Sequence, residues 1–306
     1  TTNAGQVWRI LWGDSASGNL DFIVTNIRLP RALAALSGGA MLAVSGLLLQ
    51  VFFRNPIVGP FVLGISSGAT LMVSLVMLTS VAVGMVGIVP YLTPVAAFAG
   101  ALGAMSLVMA VASKVKQGVT LLITGIMIGY LTSAVTSLLI TFAEAERIKG
   151  FNLWQLGSFS GYTWTELLVM VSIGSVLLVL VYGISKQLNA FLLGENYAAT
   201  MGVNIRRFRM ALVFISCGLS SLVTATAGPV AFVGLAVPHM ARLAMGTSDN
   251  KLLIPATALI GALVCGFCDI VARILFAPVE SPLSAITSFF GAPVVILLLI
   301  KNRARR

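Results

Sequence analysis

Residues 182–211 read YGISKQLNAFLLGENYAATMGVNIRRFRMA, and apolar runs long enough to cross a membrane stand on both sides of them. Between those runs fall Lys186, Glu195, Arg206, Arg207 and Arg209, with Gly194 and Gly202 as breaks. The piece from Leu188 to Gly202 is amphipathic and helix-forming, but too short and too polar to span a bilayer. It reads as a short helix–turn–helix on the cytoplasmic face of a membrane protein, set to pass force from a soluble partner to the membrane helices. The plain alternative is an ordinary cytoplasmic loop anchored by positive charge.

The rest of the composition agrees with a membrane setting. The chain is 58% hydrophobic and 9% charged, with a mean hydropathy of +1.02. A soluble domain carries about 25% charged residues, so a water-soluble fold of 306 residues could not cover its surface this way. The formal charge of +10 falls between apolar runs and at the C-terminus. Membrane topology accounts for it, and no stacking motif or basic groove points to nucleic acid. Cys217, Cys265 and Cys268 all lie inside apolar runs. The pair at 265 and 268 has no second pair and no nearby His, so packing is expected rather than a metal site.

Nine apolar runs follow one another, at about 31–53, 57–80, 91–113, 119–142, 164–185, 208–227, 230–246, 252–276 and 283–300. The polar interval at 143–163 has room for a short interfacial helix ending near Gly157. Residues 1–27 read as an outer loop, and Pro30 suits the first turn of the first run. With the tail Lys301–Arg306 placed inside, 13 Lys and Arg residues fall on the cytoplasmic side and 6 outside, as the positive-inside rule requires. An outer start then leads us to expect a first helix ahead of residue 1, giving ten in all. The fold class expected is therefore an all-α polytopic membrane protein, one transmembrane domain over 1–306, with its coupling loop at 188–204.

Several ordered motifs now look familiar. Arg28-Leu-Pro-Arg31, Gly46 through Gln50 closing on Asn55-Pro56, and Leu63-Gly64-Ile65-Ser66-Ser67-Gly68 come first. Trp154-Gln155-Leu156-Gly157-Ser158, Leu193-Gly194-Glu195 through Gly202, and Gly228-Pro229-Val230-Ala231-Phe232-Val233-Gly234-Leu235 follow, then Val237-Pro238-His239 with Arg242. Asp269-Ile270-Val271-Ala272-Arg273 and Gly291-Ala292-Pro293 complete the set. Together they resemble the permeases of type II ATP-binding-cassette importers for iron–siderophores, haem and cobalamin, over nearly the whole chain from Arg28. That resemblance implies a dimer of permeases, identical or closely related, with the substrate path between them. It also implies two cytoplasmic ATP-binding subunits, an extracytoplasmic substrate-binding protein, and residence in the bacterial inner membrane. The chain has no G-x-x-x-x-G-K-[ST], so it is expected to be no enzyme itself. ATP and Mg would be used by the partner, and no cofactor is expected on this chain.

The resemblance also assigns residues. Arg28, Arg31 and Arg273 match positions that dock acidic residues of the binding protein, for which the forked guanidinium is suited. The alternatives are interfacial anchoring for the first two and neutralisation of Asp269 by Arg273, four residues on. Glu195, Ala198, Gly202, Val203 and Arg206 match the ATPase coupling loop. Their spacing departs from the E-A-A-x-x-x-G of other importer classes, since Asn196 and Tyr197 stand where that motif has Ala. Gln117, Gly118 and Val119 match the cytoplasmic gate. His239, the single histidine, is expected to be a structural hydrogen-bonder. The rival readings are an ion-coupled secondary transporter, for which Asp269 is the only deep acid, and an intramembrane enzyme, for which no H-E-x-x-H or acid pair exists.

Overall fold

The computed structural model describes residues 8, 10, 18–61, 64–79, 89–112 and 118–303, and among them every regular element is helical. A short helix α1 (Gly18–Phe22) passes through a π-helical turn (Ile23–Arg28) into α2 (Leu29–Phe53). After α3 (Ile65–Thr79), α4 (Val89–Ala112) and α5 (Gly118–Phe142) comes the short α6 (Ala145–Gln155). Then come α7 (Trp164–Gly183), the two short helices α8 (Ser185–Leu193) and α9 (Glu195–Thr200), and α10 (Ile205–Ala227). The chain closes with α11 (Val233–Met245), α12 (Asn250–Ile274) and α13 (Leu283–Arg303).

Each expected apolar run holds a helix. Among the described residues, six helices are long and apolar enough to cross a membrane: 19–53, 92–111, 123–142, 164–183, 205–227 and 250–274. Ile65–Thr79 and Leu283–Ile296 are shorter apolar helices, and α11 has 13 residues around an internal Pro238. The polar interval forms α6, and Gly157 (φ +73°) follows it as expected.

The start of the chain differs from expectation. The loop read at 1–27 is helical from Gly18, continuous with α2. Pro30 brings no N–H to bond a carbonyl one turn back. The turn ahead of it widens, and the Leu29 N–H bonds the Val24 carbonyl five residues back. The π turn lets the helix continue past the proline.

α2 is the central post. Ala34, Met41, Leu42, Val44, Leu47 and Leu48 are all but fully buried, enclosed by α7, α10, α11 and α12. Small residues make this possible. A Cβ at Gly46 would lie 1.7 Å from the Gly234 carbonyl oxygen of α11, so backbone meets backbone there. The same device joins α3 to α4, where a Cβ at Gly68 would lie 2.4 Å from the Gly100 carbonyl oxygen. α10 ties the α3–α4–α5 group to the α2 group. It does so partly through a serine pair at the α2 contact, Ser45 Oγ to Ser216 Oγ, 2.9 Å. Cys265 and Cys268 are free thiols buried in the core around α2.

Candidate functional site

Two groups of polar contacts stand out, at opposite ends of α2 and α12. At one end lie α8, α9 and the ends of α2, α11 and α12 near them. Gly194 (φ +140°) separates α8 from α9, and Gly202 (φ +85°) ends α9 in a conformation that L side chains rarely adopt. The Ala198 carbonyl accepts from the Val203 N–H at 3.0 Å, closing the turn, and Ala198 itself is fully buried. Asn204 then caps α10, its side chain accepting from the Arg207 N–H at 3.1 Å.

Three attachments hold this loop to the bundle. Arg54 ends α2 in a left-handed conformation (φ 47°) and donates from Nη2 to the Phe191 carbonyl of α8 at 3.0 Å. Its guanidinium also lies over the Phe191 ring, 5.6 Å from the centroid. Asn189 is the second attachment. Its Nδ2 donates to Asp249 Oδ1 at 2.6 Å, and its Oδ1 accepts from both the backbone N–H and the Nδ2 of Asn250 at 2.8 Å. That fastens α8 to the first turn of α12. Hydrogen bonds from the Lys251 N–H and from Asn189 hold the Asp249 carboxyl below its ordinary value. The third attachment is an ion pair between Glu195 and Arg209, which links α9 to α10 with both side chains about 40% exposed.

The outer faces of the loop remain uncovered. Leu193 is 71% exposed, Tyr197 49% and Met201 62%. Neighbouring contacts fix the α2–α3 connection. His239 donates from Nε2 to the Pro56 carbonyl at 2.8 Å, as expected of a structural histidine. Arg242 donates to Gln50 Oε1 at 2.7 Å, and Gln50 Nε2 to the Leu235 carbonyl at 3.1 Å.

The opposite end carries Arg28, Arg31 and Arg273, and the structure treats them differently. Arg28 is exposed and Arg273 half-buried. Arg31 is buried, its side chain 7% exposed. It donates from Nε and Nη2 to Asp269 at 2.9–3.2 Å and from Nη1 to Glu280 Oε1 at 2.6 Å. The alternative that Arg273 neutralises Asp269 is therefore not what the structure shows, since Asp269 is held by Arg31. The reason is the close α2–α12 packing, where a Cβ at Gly39 would meet the Gly261 carbonyl oxygen at 2.3 Å. Asp269 is buried at that seam with Arg31, whereas Arg273 is half-buried. Nearby, the Trp154 indole donates to the Ala225 carbonyl at 3.1 Å. Ser284 Oγ lies 2.8 and 2.9 Å from the Leu156 and Pro229 carbonyl oxygens, which share its one proton. The Trp-Gln-Leu-Gly-Ser and Gly-Pro-Val motifs are thus brought together.

Of the gate residues, Gln117 lies outside the described residues. Gly118 and Val119 begin α5, and their side chains also lie outside the described set. No group of three or more His, Cys, Asp or Glu residues that could hold a metal ion occurs among the described residues. Sequence reasoning missed Asn189, Asp249 and Arg54. A signal was present for one of them, since Asp249 before the apolar run at 252–276 is a helix-capping pattern.

A multi-pass helical bundle with an amphipathic two-helix loop at one end and no nucleotide-binding motif is the build of a transport permease. The chain belongs to the FecCD transport family, whose profile matches residues 1–301. It is 36% identical over 303 residues to the hemin transport system permease protein HmuU of Yersinia pestis, covering 98% of this chain and 89% of that one. It is 34% identical over 299 residues to the vitamin B12 import system permease protein BtuC of Salmonella paratyphi A, covering 98% and 90%. A solved structure described as an inward-facing conformation of a metal-chelate type ABC transporter superposes with a TM-score of 0.82 at 30% identity, covering 94% and 90%. PsaBC from Streptococcus pneumoniae superposes with a TM-score of 0.60 at 14% identity, a likeness of fold alone.

Proposed function

We propose that this chain is the membrane permease of an inner-membrane importer driven by a partner ATPase, moving a bulky iron-siderophore, haem or cobalamin-type chelate. The observation that carries the proposal is the α8–α9 loop. It is fastened inward by Arg54, Asn189 and the Glu195–Arg209 pair, and offers Leu193, Tyr197 and Met201 outward. A loop held firmly on one face and apolar on the other suits transmission of force from a docked subunit. Ala198, Gly202 and Val203 keep its shape, and Arg206 extends the contact surface. In this reading the loop end and the C-terminus are cytoplasmic, and two permease subunits rock against one another to expose the path to either side in turn.

At the other end, the proposal assigns Arg28 and Arg273 to meet acidic residues of a substrate-binding protein. Arg31 contributes by holding α2 to α12 and to the Glu280 loop beneath that surface. The gate at Gln117, Gly118 and Val119 stays part of the proposal. The secondary-transporter reading loses its one candidate proton carrier, because Asp269 is bound to Arg31.

The test is purification of the tagged chain from native membranes, followed by ATPase assay. A co-eluting ATP-binding subunit with vanadate-sensitive activity is the expected result. Uptake by the chain alone, dependent on an ion gradient, would overturn the reading.

A further inference from the structure

A groove of about 640 Å³ runs between α4 and α10, beside the α9 end of the loop. Leu102 and Met109 of α4 and Met210 and Phe214 of α10 form its apolar wall. Those residues belong to, or adjoin, two of the membrane-crossing stretches, 92–111 and 205–227. Arg206 and Arg209 also line it, with Glu195 as the single acid. Arg209 engages Glu195 through Nη2 only, and its Nε is buried with no hydrogen-bond partner.

We propose that this groove is a binding site for an anionic phospholipid, its phosphate held by Arg206 and Arg209 and one acyl chain lying along the apolar wall. Two observations select that occupant. The wall is apolar and lies in spanning helices, which suits an acyl chain rather than a soluble anion. The groove holds two cations against one acid, and a buried Nε–H of Arg209 has no acceptor. A phosphate between the Arg206 and Arg209 guanidinium groups would balance that excess charge, and basic sites between helices at the end of a bundle take anionic headgroups in this way. Because Arg209 also pairs with Glu195, the bound phosphate would share a guanidinium with α9. Lipid occupancy and the setting of α9 would then be linked. The proposal does not depend on which substrate the protein carries or on which ATPase drives it.

The experiment is native mass spectrometry of the full chain, purified with whatever subunits accompany it. It is titrated with phosphatidylglycerol and, separately, with phosphatidylcholine of the same acyl chains. One phosphatidylglycerol should be retained in preference to phosphatidylcholine. Arg206→Gln should lower that retention about fivefold, the effect of one basic residue near an anionic surface. Arg207→Gln, one position away and outside the groove lining, should leave it unchanged. Met210→Trp, which fills the groove without removing charge, should also displace the lipid, and it serves as the second variant should Arg206→Gln fail to fold. Equal retention of the two lipids would overturn the proposal, as would equal losses for Arg206→Gln and Arg207→Gln. So would a photo-crosslinker at position 210 that captures protein segments instead of lipid.

Discussion

The two ends of the bundle solve the same problem, tying helices together through polar groups, in opposite ways. At the Arg31 end one guanidinium is shut away between α2 and α12 with Asp269, both side chains under 10% exposed. At the Arg209 end the ion pair with Glu195 is about 40% exposed, and the other attachments are the Arg54 hydrogen bond to a backbone carbonyl and the Asn189 hydrogen bonds with Asp249 and Asn250. A buried pair is costly to break, since removing either partner leaves an uncompensated charge. An exposed pair opens cheaply. The difference teaches where the molecule gives way first: the Arg31 end is a fixed joint, while at the other end the α9 tie through Glu195 and Arg209 opens more easily than the part-buried attachments of α8.

The sharpest way to break this comparison is Asp269→Ala. It leaves Arg31 with the part-exposed Glu280 as its one remaining carboxylate and should cost up to about 3 kcal/mol, the low end for breaking a buried pair, seen as a fall in thermal unfolding temperature in detergent or in membrane yield. The paired change Arg31→Met with Asp269→Leu should recover most of that loss. A mild effect of the single variant would show that the joint is not fixed. Next in size, Asn189→Ala should remove about 1–2 kcal/mol of local fastening. Hydrogen exchange should rise in α8 and the first turn of α12, with no change around Arg31. The smallest stability effect belongs to Glu195→Gln, at most about 1 kcal/mol, read by thermal unfolding.

A pH titration sharpens the contrast further. Hydrogen bonds hold the Asp249 carboxyl below its ordinary 3.8. A depressed carboxyl contributes stability that is present above the unfolded value and is lost as pH falls through the folded one. Exchange in α8 should therefore stay flat from neutral pH down to the ordinary carboxylate range and rise only below it. Asp249→Asn should flatten that rise.

What could be read from the sequence follows the range of the forces involved. The span at 164–185 is found as Trp164–Gly183 and that at 208–227 within Ile205–Ala227, because an unbroken apolar run and its polar ends are local properties. The break at Gly202 was legible for the same reason: a positive φ favours glycine. The Arg31–Asp269 pair was not, since its members stand 238 residues apart and Arg273 is the nearer cation in sequence. Nor was the joint role of Asn189, which depends on the turn before α12 folding back onto α8. The helix ahead of Arg28 was hidden because Gly18–Phe22 and its flanks are polar and mixed, and the proline at 30 reads as a start. A π turn let the helix run through it.

The central claim is that the loop at the Arg209 end is the docking surface for an ATPase, and it is best tested by comparing the tagged wild type with a Tyr197→Asp, Met201→Asp variant. Both changes fall on exposed side chains, so the thermal unfolding temperature should be unchanged. The account predicts that an ATP-binding subunit co-purifies with the wild type and falls at least about tenfold in the variant, the size expected when apolar contacts central to an interface are replaced by charge. Full recovery of the ATPase with the variant, at unchanged stability, would contradict it.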